Sequence, residues 1–252
     1  MSPLLQVRGL RKAFGGVAAL DGVDLDVEDG ELVSLIGPNG SGKSTLFNCI
    51  TGLLRADEGR VHFKGVDITG ARPDEIARGG IGRTFQDVRT FATLTVRDSL
   101  LVFAQQHQPE MLVQRFLRSP KVRRHEAEAG ERADVLLDVI GLTRLSGDPS
   151  GSLSYGQRKL LGFAAALMPA PQLVMLDEPA AAVNPAMIER MKEYIRGFHA
   201  TGTTFLIVEH NMDVVMDLSE RVVVLDVGRK IAEGPPAEVQ RNIEVQEAYF
   251  GR

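Results

Sequence analysis

Apolar residues come in short runs bounded by turn residues, and the character of those runs changes twice along the chain. Leu4-Leu5-Gln6-Val7 and Val23-Asp24-Leu25-Asp26-Val27 read as strands, the second alternating apolar and acidic positions as a half-exposed strand does. Asp29-Gly30 marks a turn before the apolar run 32–36, a buried strand. A glycine-rich loop follows at once, and 43–50 has helical character. Residues 61–63 predict a short strand, 74–78 a short helix opened by Pro73, and 81–85 another strand.

Between about 95 and 145 strand signals fade, and 121–140 mixes charge with apolar residues at helical spacing, which predicts a helical insertion. After Gly151 the alternation returns: a helix at 155–167, an apolar strand at 173–176, a helix at 185–199, and strands at 204–208 and 222–225. Strands alternating with helices imply a parallel sheet flanked by helices. Pro235-Pro236 opens a helical tail over 235–252.

Composition narrows the class. At 252 residues, 44% apolar and 25% charged, the chain can bury a substantial core, which excludes disorder and a mini-protein. The longest mostly apolar run, 160–168, is far short of the roughly 18–20 residues a membrane-crossing helix needs. The first residues lack a basic segment followed by an apolar core, so no secretory signal is expected. A single cysteine, Cys49, allows no internal disulfide and fits a reducing compartment. A net charge of −4 argues against a nucleic-acid partner, which calls for a basic face.

Residues 37–45, Gly37-Pro38-Asn39-Gly40-Ser41-Gly42-Lys43-Ser44-Thr45, fit G-x-x-x-x-G-K-[ST] in full. Glycines let backbone N–H groups turn inward around phosphate oxygens, the following helix adds its positive dipole end, and the ammonium reaches the terminal phosphates. Asn39, Gly40, Ser41, Gly42, Lys43, Ser44 and Thr45 are therefore candidate nucleotide-binding residues, and the Ser44 hydroxyl is a candidate Mg²⁺ ligand. The strand 173–176 ends in Asp177-Glu178. Carboxylates at the carboxyl end of a buried parallel strand sit where open α/β sheets place ligands, so Asp177 would hold Mg²⁺ through water and Glu178 would polarise an attacking water.

With these segments in place the sequence resembles the ATP-binding cassette family, the ATPase subunits of ABC transporters. Leu153-Ser154-Tyr155-Gly156-Gln157 looks like the family's signature, Gln86 matches its Q-loop glutamine, His210 its switch histidine, and Phe14 the aromatic that stacks on adenine. The resemblance implies a P-loop NTPase fold: a RecA-like parallel sheet core with an antiparallel β subdomain and a helical insertion at 87–148, all within one domain of 252 residues. It also implies that two cassettes close head to tail, with Ser154, Gly156 and Gln157 of one facing ATP bound to the other. Glu178, His210 and Gln86 then serve hydrolysis, and Gln86 joins Ser44 and Asp177 around Mg²⁺. The implied partners are membrane permease subunits docked on the insertion, a second ATPase subunit and, indirectly, a periplasmic or extracellular solute-binding protein. The implied location is the cytoplasmic face of the membrane.

Within the family the likeness is to the ATPases of branched-chain amino-acid importers. It rests on Gly82-Arg83-Thr84-Phe85-Gln86, Asp177-Glu178-Pro179-Ala180-Ala181, Val208-Glu209-His210-Asn211-Met212 and the tail. Urea importers and the lipopolysaccharide-export ATPase share several of these segments, so both stay open as alternatives. Three positions depart from the common family pattern: Tyr155 and Ala182, where glycine is usual, and Asn184, where aspartate is usual. Tyr155 must turn its ring away from nucleotide, and Ala182 lacks glycine's freedom at positive φ. His62, His107, His125 and His199 lack metal-ligand spacing and read as surface or packing residues; Cys49 reads as a small buried side chain.

Overall fold

The computed structural model describes residues 2–84, 91–104 and 120–250. They fall into two compact units, one made of Met1–Arg83 with Gln172–Arg252 and the other of Thr84–Pro171. The second unit contains the 87–148 segment and continues through the helix that follows it.

The first unit carries two sheets. In the four-stranded antiparallel sheet, β1 (Leu5–Phe14) pairs with β2 (Val17–Val27) and with β4 (Glu58–Phe63), which pairs in turn with β5 (Val66–Asp67). β1 and β2 run well beyond the predicted 4–7 and 23–27. Their extensions carry charged and glycine positions, and register shifts near Leu10 and Lys12 break the alternation a sequence reading depends on. Phe14 ends β1 at the Gly15-Gly16 hairpin and is exposed.

The larger sheet has the order β10-β9-β3-β8-β7-β6, with β3 (Leu32–Ile36), β6 (Ile81–Arg83), β7 (Leu173–Asp177), β8 (Thr204–Val208), β9 (Arg221–Asp226) and β10 (Arg229–Gly234). Five strands run parallel, but β10 returns antiparallel to β9, so the sheet is mixed rather than parallel throughout. β10 carries no strand signal in the sequence, because only Ile231 and Ala232 break a polar strand that is nowhere fully buried. β3, β7 and β8 are buried at every residue, with the near-continuous apolar pattern of strands covered on both faces. Their core joins the antiparallel sheet and α1 (Lys43–Ile50) in one cluster that includes Leu35, Phe47, Ile50, Met175 and Leu206.

Around this sheet stand α2 (Pro73–Gly79), α6 (Pro185–Ala200) and α7 (Met212–Leu218). The tail folds as α8 (Pro236–Arg241) and α9 (Ile243–Phe250), and Val239 and Val245 close a small core with Ile36, Val222 and Val224. Among the described residues of the second unit stand α3 (Val96–Phe103), α4 (Pro120–Val139) and α5 (Tyr155–Leu167). Leu100, Leu136, Leu137, Leu160 and Phe163 are buried there, and Arg97 pairs with Asp134 at 2.7 Å. No helix among the described residues is long and apolar enough to cross a membrane.

Candidate functional site

Strand order assembles the site. β3, β8 and β7 are parallel neighbours, so their carboxyl ends lie on one edge of the sheet, where open α/β folds bind ligands. β3 runs into the glycine loop, β7 into Asp177 and Glu178, and β8 into Glu209 and His210. The register sets Asp177 opposite Val208, and the Glu178 N–H donates to the Val208 carbonyl at 2.9 Å. The turn after β7 and the turn after β8 therefore leave the sheet at the same level.

Two glycines of the loop are required by space as well as by conformation. Gly37 has φ 149°, and a Cβ there would lie 2.0 Å from the Leu225 carbonyl oxygen. Gly42 has φ 105°, and its Cβ would meet the Ala19 carbonyl oxygen at 2.4 Å. The loop is braced from outside by the β9–β10 turn, where the Gly228 N–H donates to the Ser41 carbonyl at 3.0 Å. Asn39 and Gly40 are exposed at its tip, and Ser44 and Thr45 lie exposed and half-buried on the first turn of α1. Lys43 is buried, and its ammonium donates to the carbonyls of Gly37 at 2.8 Å and Pro38 at 2.9 Å and to Ser41 Oγ at 3.2 Å. Burial pushes its pKa down, while the charges of Glu178 and Asp177 oppose that shift. These two carboxylates are thus felt by the loop lysine, which ties the phosphate loop electrostatically to the end of β7.

Asp177 is itself buried, and burial raises its pKa against the nearby guanidinium of Arg83, whose Nη2 lies 3.3 Å from Asp177 Oδ2. Arg83, at the end of β6, also donates to Thr51 Oγ1 at 2.7 Å and places its guanidinium carbon 5.7 Å from the Phe47 ring centre. Its own pKa is lowered by the same burial, so the pair is held against a desolvation cost. Glu178 Oε1 lies 3.2 Å from His210 Nε2, joining the two residues that the sequence placed in hydrolysis. Glu178 holds a left-handed backbone, φ 49°, a strained state for a side-chain-bearing residue. Gln86 lies outside the described residues.

The donor set fits a divalent cation that arrives with a phosphate ligand. The Ser44 hydroxyl and the Asp177 carboxylate are hard oxygen donors, and a cation would offset the burial that disfavours the Asp177 charge. Among the described residues no cluster of three His, Cys, Asp or Glu side chains forms a cage for a resident metal.

Ser154 and Gly156 belong to the other compact unit. Ser154 caps α5: its Oγ accepts the Gln157 N–H at 3.3 Å, and the Ser154 N–H donates to Gln157 Oε1 at 2.8 Å. Gln157, which the family resemblance implies as a nucleotide contact, spends its side-chain oxygen on this box, while the Ser154 hydroxyl keeps its own proton to donate. Tyr155 is exposed, and Lys159 Nζ lies 5.7 Å from its ring centre one helical turn on. Asn184 caps α6 through the Met187 N–H at 2.9 Å, a task Asn and Asp perform equally well. Ala182 has φ 58°, so this position does adopt the conformation for which glycine is suited. Phe14 is exposed at its hairpin, with Lys12 Nζ 5.6 Å from its ring centre.

Arg83 and Glu209 were within reach of the sequence and received no role in it. Arg83 directly precedes the Q-loop segment, and Glu209, like Asp177, is a carboxylate at the carboxyl end of an apolar strand. That shared position was the available signal.

Comparison with known proteins gives the family. Residues 20–181 match the family described as ABC transporter, and residues 229–252 match the family described as branched-chain amino acid ATP-binding cassette transporter. The high-affinity branched-chain amino acid transport ATP-binding protein BraF of Pseudomonas aeruginosa is 40% identical over 250 residues, covering 99% of this chain and 98% of its own. LivG of Escherichia coli K12, which carries the same description, is 40% identical over 252 residues, with 99% and 98% covered. A solved ATP-binding cassette of an ABC transporter, in its ADP conformation, shares 37% identity at a TM-score of 0.86 over 100% of both chains. The likeness runs through the phosphate loop, the helical unit and the tail alike, and the chain belongs to the ABC transporter family as one of its ATP-binding subunits, an ATPase.

Proposed function

We propose that this ATPase powers an importer of branched-chain amino acids, working at the cytoplasmic face of the membrane with permease subunits and a second cassette. The pairing of Glu178 with His210 at 3.2 Å, on adjacent strand ends beside the buried Lys43, is the observation that carries the catalytic part. The solute is supported by the match of 229–252 and by the names of the relatives.

In this reading Lys43 and the loop N–H groups of residues 39–45 take the ATP phosphates, and Phe14 offers its exposed face to adenine. The Ser44 hydroxyl, the Asp177 carboxylate and the Gln86 amide would hold Mg²⁺, which would supply charge neutralisation on the phosphates. Glu178 takes the proton of the attacking water, and His210 holds that water and the γ-phosphate in place. The Ser154 hydroxyl and the N–H groups at the start of α5 complete the site on the second cassette's nucleotide, using the positive end of the helix.

Glu178→Gln is expected to bind ATP, to lose about 10²- to 10⁴-fold in kcat and to accumulate as a nucleotide-bound dimer. Phosphate release and size-exclusion chromatography with ATP read both. Wild-type turnover in that variant would remove Glu178 as the base. Uptake of labelled leucine, with labelled urea alongside, by cells expressing the chain with its permease decides the solute.

A further inference from the structure

Glu209 is 2% exposed, and a carboxylate so far from water has to be satisfied by protein donors. Its two oxygens take three backbone N–H bonds: Oε1 from Ala180 at 2.7 Å, and Oε2 from His210 at 3.0 Å and Asn211 at 3.1 Å. Two of these donors are its chain neighbours. The third lies across the sheet edge, two residues past Glu178. One side chain therefore fastens the turn carrying Glu178 to the turn carrying His210. Those turns need fastening, since Glu178 sits in a left-handed backbone that persists only where its surroundings over-determine it.

We infer that Glu209 is a positioning residue for ATP hydrolysis: by tying the Ala180 N–H to the His210 and Asn211 N–H groups it fixes the separation and orientation of Glu178 and His210. It does this from behind, with no surface through which to meet the nucleotide. The inference rests on the reading of Glu178 and His210 as the hydrolytic pair. It assigns the buried carboxylate next to the histidine a part in turnover and none in ATP binding, because the phosphate loop is held by β3, α1 and the β9–β10 turn instead.

The test uses the full-length chain. Glu209→Gln swaps one acceptor oxygen for an NH₂ group, which faces a backbone N–H whichever way the amide is turned. Glu209→Asp keeps the carboxylate but shortens its reach to Ala180. Both are expected to lower kcat about 10- to 100-fold, the scale of a misplaced catalytic group, with KM and the affinity for a fluorescent ATP analogue within about twofold of wild type. In a Glu178→Gln background, adding Glu209→Gln is expected to change the residual rate by less than about twofold, because residues acting as a unit are not additive. Wild-type kcat in Glu209→Gln overturns the inference, as does a loss repeated in full in the Glu178→Gln background. If Glu209→Gln does not fold, Glu209→Asp decides by the same measures. If neither folds, Glu209 holds the fold and the positioning role is wrong. A Glu178→Gln chain that keeps its turnover sinks the underlying base assignment, whatever the Glu209 variants do.

Discussion

The antiparallel sheet and the carboxyl edge of the mixed sheet handle charge in opposite ways. On the antiparallel sheet, Arg8 pairs with Asp26 at 2.6 Å and Arg60 with Asp67 at 2.8 Å, each pair with its side chains well exposed. Water screens such pairs, and they keep a surface soluble more than they hold a fold. At the carboxyl edge, Lys43, Asp177 and Glu209 are all buried, and each is bound by its own loop, by one guanidinium or by backbone N–H groups. Burial there works against the charges of Lys43 and Asp177, and the backbone turns left-handed at Glu178 and Ala182. The same residue types are thus cheap in one region and costly in the other, and the costly arrangement is concentrated at the edge proposed to bind and hydrolyse ATP.

Removing the cation from one pair in each region gives the widest separation. Arg83→Ala leaves the buried Asp177 without its guanidinium and is expected to cost about 3–5 kcal/mol of stability, whereas Arg8→Ala should cost no more than about 1 kcal/mol. Urea unfolding of both variants checks this, and equal losses would erase the contrast. Next in size, Lys43→Ala should weaken ATP binding by about 1.5–3 kcal/mol, roughly 10- to 100-fold, the range for hydrogen bonds to charged groups. An ATP titration with unchanged affinity would take Lys43 out of the phosphate site. The smallest effect belongs to the backbone. Ala182→Gly relieves a left-handed alanine and should stabilise the chain by at most about 1 kcal/mol, a rise of roughly 2–4 °C in Tm. A lower Tm would mean that the loop after β7 is not under strain at that position.

Much of the architecture was legible because it is written in contiguous residues. Mostly apolar runs mark β3, β7 and β8, and the predicted helix 155–167 coincides with α5, whose first turn Ser154 and Gln157 close as a capping box. The far halves of β1 and β2 and the whole of β10 escaped. They are polar or glycine-bearing and become strands only through partners elsewhere in the chain. Ala182 shows the same division: its identity was readable as a departure from glycine, but its φ of 58° belongs to the folded loop.

For the site, the sequence by itself determined the phosphate loop, because strand, glycines, lysine and helix start are covalent neighbours and their local geometry follows from residue type. It also supplied a carboxylate at the end of β7 and a histidine after β8. Only the tertiary structure decided that those two strands lie side by side, in the register that sets Asp177 opposite Val208. That pairing brings Glu178 to His210, turns Glu209 into a clasp between them and gives Asp177 the Arg83 guanidinium. Strand order is a property of distant segments competing for neighbours, and burial, which sets the cost of each charge, exists only once those neighbours have been chosen.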